Sequence, residues 1–144
     1  MVAAVDHRQG LINKFEGDAV LAVFGAPLRI QQPASAALAT GRALATELRR
    51  LPVADFGVGI SAGSVFAGNI GAENRYEYTV IGDAVNEAAR LADHAKECDT
   101  RVLSSGSAIA GADAAEQRHW TARGSTVLRG RITTTDLAEP LLND

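Results

Sequence analysis

Residues 76–97 read YEYTVIGDAVNEAARLADHAKE. The β-branched and aromatic run YEYTVI predicts a strand, and the stretch after Gly82 predicts the strongest helix of the chain. Asp83 is placed to cap the first turn of that helix. Val85, Ala88, Ala89 and Ala92 give it a small-residue face to lay against a sheet. Asp83, Asn86 and Arg90, at i, i+3 and i+7, form a polar stripe on the same element.

Upstream, FGVGISAGSVFAGNIG (56–71) alternates apolar and small residues and predicts strand, a turn near Ala62–Gly63, and strand again. A long helix is expected from Ala34 to Leu51. Pro33 suits its first turn, and Leu38, Leu44, Leu48 and Leu51 fall near helical spacing. LINKF (11–15) and AVLAVF (19–24) flank EGD and predict a hairpin with a fully buried second strand. Residues 1–9 predict the last turns of a helix stopped by Gly10. RVLSS (101–105), STVLRGR (125–131) and TDLAEP (135–140) predict short closing strands. The order strand, helix, strand, strand, helix, strand points to an α+β sandwich.

The chain has 144 residues, enough for one domain with one core. Apolar residues make up 47% and charged ones 22%, an ordinary globular balance. A net charge of −3 gives no broad electrostatic footprint for nucleic acid or anionic lipid. No apolar run approaches the roughly 20 residues that span a bilayer, and the opening MVAAVDHRQG is too short and polar for a secretory signal. One cysteine, Cys98, excludes an internal disulfide. The expected setting is a reducing, cytoplasmic one.

Two groups of residues could carry chemistry. Lys14 and Asp18 flank the turn between two apolar strands. They read either as an exposed ion pair on a solvated turn or as a functional pair, with Asp18 a hard oxygen donor suited to Mg2+ or Mn2+. The stripe Asp83, Asn86 and Arg90 reads either as a solvent face with a Glu87–Arg90 pair or as an anion site with Arg90 as its forked donor. Gly57, Gly59 and Gly63 miss the spacing of a dinucleotide fingerprint, and no helix follows them directly. His7, His94 and His119 share no metal-ligand spacing with each other or with Cys98. Ser64, Ser104 and Ser105 lack a nucleophile-elbow context. Trp120 reads as core.

INKFEGDAVLAVFGAP (12–27) and FGVGISAGSVFAGNIGAENRYEYTVIGDAVNEAARL (56–91) strongly resemble the catalytic domain of class III adenylyl and guanylyl cyclases, above all the bacterial adenylyl type. The resemblance covers nearly the whole chain. It implies a ferredoxin-like α+β fold, one domain over residues 1–144, and divalent-metal chemistry at the interface of a head-to-tail homodimer. The implied reaction is attack of the ribose 3′-hydroxyl of ATP on the α-phosphate, giving cyclic AMP and pyrophosphate.

Position by position, Asp18 matches a metal aspartate, Lys14 the purine-contacting lysine and Thr79 its partner in base recognition. A lysine paired with threonine marks the adenine-selecting members. Asn86 matches the ribose-orienting asparagine and Arg90 the arginine that stabilises the transition state. Arg129 matches the basic residue for the terminal phosphates, with Arg131 the alternative. The family's opening strand, with its Phe-Asp-Ile motif and first metal aspartate, has no counterpart here. The implied domain is therefore N-terminally truncated: part of a longer cyclase, or a non-catalytic pseudo-cyclase serving as a dimerisation or nucleotide-binding module.

Overall fold

The computed structural model describes residues 2–16, 19–51, 55–72 and 75–141. Helix α1 (Val2–His7) is closed by a bond from the Gly10 amide to the Val5 carbonyl at 3.0 Å, as the sequence predicts. Strands β1 (Leu11–Glu16) and β2 (Ala19–Val23) then pair antiparallel, from Leu11 opposite Val23 to Glu16 opposite Ala19. Helix α2 (Pro33–Arg49) begins on its proline. After it come β3 (Val58–Ile60), β4 (Phe66–Ala72) and β5 (Arg75–Ile81), and then helix α3 (Asp83–Ala95). Strand β6 (Val102–Ser105), short helices α4 (Gly106–Ala110) and α5 (Ala114–Gln117), β7 (Trp120–Val127) and β8 (Thr134–Pro140) complete the order. The class is α+β.

Four strands form the main sheet in the order β3-β6-β8-β7, with β3 and β6 parallel and the other pairs antiparallel. The hairpins β1–β2 and β4–β5 are separate two-stranded sheets. Side chains of successive strand residues point to opposite faces, which assigns the two long helices. Val102 and Ile60 join Leu38, Ala45, Ala108, Trp120 and Ala138 in one core, on the α2 side. Leu103 and Leu137 join Leu91, Ala95, Cys98 and Leu128 in a second core, on the α3 side. The sheet is covered on both faces, and all four residues of β6 are buried.

The glycines of FGVGI are explained by α3. A Cβ on Gly57 would overlap the Ala92 carbonyl oxygen, and one on Gly59 would overlap the backbone at Ala88 and Ala92. Helix backbone therefore lies directly on strand backbone, and any side chain at those positions would push the two apart.

Several details depart from the sequence reading. Strand β2 is half-buried rather than fully buried, because no described strand lies beyond it. Leu51 is half exposed past the end of α2, whose buried positions are Leu38, Thr40, Gly41 and Ala45. Ala89 faces solvent, and the buried stripe of α3 is Glu87, Leu91 and Ala95. Gly82, not Asp83, is the N-cap of α3. Strand β7 ends at Val127, so Arg129 sits in the turn that follows. Trp120 is core as expected, and its indole N–H also donates to Glu116 Oε2 at 2.8 Å. Arg42 holds the same carboxylate bidentately at 2.7 and 2.8 Å, tying α2 to α5.

Two outcomes follow. Gly59→Val forces α3 off β3 and is expected to cost roughly 1–3 kcal/mol or more, read as a fall of the thermal midpoint by roughly 3–10 °C. Burial, the largest influence on Cys98, raises its thiol pKa. Ellman's reagent at pH 7.5 is therefore expected to label Cys98 far more slowly in the folded protein than in guanidinium.

Candidate functional site

Strand β1 carries a bulge between Ile12 and Lys14, which frees Asn13 from regular pairing. Asn13 Nδ2 donates to the Tyr78 carbonyl of β5 at 2.8 Å. This bond joins two separate hairpins, and it does so one residue from Lys14 on one side and one residue from Thr79 on the other. The two residues matched to base recognition thus lie on strands stitched together beside them. Thr79 is half-buried, and Lys14 stands opposite Leu21 in the β1–β2 ladder. Among the described residues, nothing partners the buried Asn13 Oδ1. Asp18 lies outside the described residues.

On α3 the outward stripe is as the sequence predicts: Asp83, Asn86 and Arg90 are all exposed. Glu87 lies on the inner face instead, at 8% exposure. An acid there needs partners. Ser61 Oγ donates to its Oε1, and Thr135 Oγ1 (3.0 Å) and Arg131 Nη1 both donate to its Oε2. On the solvent-face reading Glu87 would pair with Arg90; in the fold its partner is Arg131. Arg131 Nη2 reaches Asp83 Oδ2 at 2.8 Å, so one guanidinium grips two carboxylates a helical turn apart. That use of Asp83, rather than capping, accounts for its first-turn position. Arg129, two residues before Arg131, is exposed in the β7–β8 turn.

A cleft of about 340 Å³ opens over this network, lined in part by Ser64, Asp83, Ser105, Ser107 and Asp136. None of Thr79, Asn86, Arg90 or Arg129 lines it. With three carboxylates against one engaged arginine, it is unsuited to a polyphosphate. Asn86, Arg90 and Arg129 lie on open surface instead. Among the described residues no group of three His, Cys, Asp or Glu side chains gathers to hold a metal. Nor is any described helix long and apolar enough to cross a membrane.

Residues 5–138 match the family model for the adenylate and guanylate cyclase catalytic domain. The chain belongs to that family. An uncharacterized protein of Mycobacterium bovis is 49% identical over 142 residues, covering 98% of this chain and 25% of its own length. One of Mycobacterium tuberculosis is 48% identical over the same span. The chain thus spans about a quarter of the length of these curated relatives. Among solved structures, a guanylyl cyclase superposes with a TM-score of 0.79 at 26% identity, over 95% of this chain and 72% of that one. The adenylyl cyclase CyaB from P. aeruginosa gives 0.79 at 26%, over 97% and 76%. The cyclase fold is common to both, and similarity to an adenylyl and a guanylyl enzyme is equal.

The residues that sequence reasoning missed are Asn13, Glu87 and Arg131 in its actual role. Glu87 could have been found, since it shares the helical stripe of Leu91 and Ala95 and a carboxylate on an apolar stripe demands a partner. Asn13 carries no such signal.

The Asn13–Tyr78 tie can be tested directly. Asn13→Ala removes one hydrogen bond and is expected to cost about 1 kcal/mol. Asn13→Asp sets a carboxylate against the Tyr78 carbonyl and is expected to cost more. Chemical denaturation of the two variants at pH 7.5 checks the order.

Proposed function

We propose that this cyclase domain is an adenylyl cyclase module, acting on ATP in a head-to-tail homodimer. The observation that carries the reading is the Asn13–Tyr78 bond, which draws the strands of Lys14 and Thr79 together. Lys14 would donate to a ring nitrogen of adenine, and the Thr79 hydroxyl would complete base recognition. Asn86 would orient the ribose. Its 3′-oxygen bonds to the α-phosphorus, the bond to pyrophosphate breaks, and the hydroxyl proton is released to solvent. Arg90 would meet the charge that develops at the α-phosphate, and Arg129 the terminal phosphates. Arg131 is set aside for that role because Glu87 and Asp83 already occupy its guanidinium.

Asp18 is a hard oxygen donor of the kind that Mg2+ or Mn2+ takes, and a bound ion would neutralise polyphosphate charge. The outward exposure of Asn86 and Arg90 supports completion of the site by a second copy. So does the apolar pair Phe66 and Ile81, register partners on β4 and β5 that are 57% and 55% exposed. A cytoplasmic setting rests on the single cysteine.

The second reading is a non-catalytic nucleotide-binding module: of the acids outside the matched motifs, Asp55 is committed to Arg101 at 2.6 Å and Asp6 sits in the exposed part of α1. The chain alone is therefore expected to bind ATP with Mn2+ weakly and to turn over little. Cyclic AMP production at high protein concentration, measured beside ATP and GTP affinities, separates the readings. ATP is expected to bind tighter than GTP, and Lys14→Glu with Thr79→Cys to weaken that preference. Equal affinity of the unmodified chain for both nucleotides overturns the adenylyl assignment.

A further inference from the structure

The β7–β8 turn is fastened at two points with Arg129 between them. Leu128 is buried in the α3-side core, and its carbonyl accepts the Arg131 amide at 3.0 Å. Gly130, at φ +82, supplies the left-handed residue that this tight closure requires. Beyond it Ile132 is 97% exposed, so no packing holds the turn on that side. What holds it is the Arg131 guanidinium. Nη1 serves Glu87 and Thr135, the latter at 3.1 Å, while Nη2 serves Asp83. Asp83 and Glu87 are four residues apart, so the fork spans about 6 Å of helix rise. A planar donor set engaged at both ends fixes the loop along the helix and in rotation about it, which a point charge cannot do.

The cost of this arrangement argues for a role beyond stability. A buried ion pair loses much of its Coulomb gain to desolvation, and an apolar pair of similar volume is often as stable or more so. What the ion pair provides and an apolar pair does not is orientation. Glu87 lies between Asn86 and Arg90 in sequence, and Arg131 lies two residues from Arg129. The clamp thus ties the turn of Arg129 to the helix that carries Asn86 and Arg90.

We infer that the Glu87–Arg131 pair is a positioning device that registers the Arg129 turn against α3 and so sets affinity for the polyphosphate of a nucleotide. Glu87 and Arg131 themselves touch no substrate. The inference rests on the nucleotide reading above and assigns that site a further pair of residues.

The test uses the full chain with Mn2+ and two probes, ATP and AMP, whose affinities are measured by calorimetry beside the thermal midpoint. The variants are Glu87→Met with Arg131→Met, which replaces the pair by apolar side chains, and Arg131→Lys, which keeps the charge and loses the fork. Either folded variant is expected to lose roughly tenfold in ATP affinity, the scale of one charge-assisted contact, with AMP affinity unchanged. A purely structural pair would move the midpoint and leave the ATP-to-AMP ratio intact. If the unmodified chain prefers ATP and a folded variant keeps that preference, the inference alone is overturned. If the unmodified chain binds ATP no tighter than AMP, the assignment of Arg129 to phosphates falls and takes the inference with it.

Discussion

The close approach of α3 to β3 is the constraint on which the rest depends. Two glycines, Gly57 and Gly59, let a helix rest on a strand at backbone distance. Once α3 is seated there, Leu91 and Ala95 fill the core below it, and Glu87 is carried inward to where only a fixed cation and two hydroxyls can satisfy it. The opposite side of the same helix turns Asn86 and Arg90 out to solvent. One packing event thus produces an apolar seat, a buried anion and an outward polar stripe. Each then constrains a different part of the chain.

Much of this was legible in the sequence, for reasons that differ from element to element. The helix after Gly82 announced itself by period and by small residues, and the β1–β2 hairpin by two apolar runs around a turn. The Gly57-x-Gly59 spacing is plain in the sequence, although its use, helix on strand, is a tertiary fact that local pattern cannot hold. For Glu87, helical spacing offers Arg90 at i+3 as a partner. The burial of the inner face instead selects Arg131, which is 44 residues away. Long-range pairing of this kind leaves no periodic trace. The same holds for Asn13, whose role depends on a bulge and on a carbonyl 65 residues distant.

The resemblance to the cyclases supplied what spacing could not, namely which of many polar residues to gather. Lys14 and Thr79 look unrelated in the sequence, yet their strands are joined through their immediate neighbours. Arg129 and Arg131 look interchangeable there. In the fold one is exposed in a turn and the other is gripped by two carboxylates.

The sharing of β6 between two cores has a mechanical consequence. Val102 and Leu103 are adjacent residues, and each belongs to a different hydrophobic cluster. Neither cluster can loosen without disturbing the strand that serves the other, so α2, α3 and the main sheet open together or not at all. The two-stranded pieces β1–β2 and β4–β5 lie outside that cooperative unit, and paired strands of this kind have little stability of their own. The main sheet with its two long helices is thus one stiff unit, and the hairpins that carry Lys14 and Thr79 are held less firmly than it is.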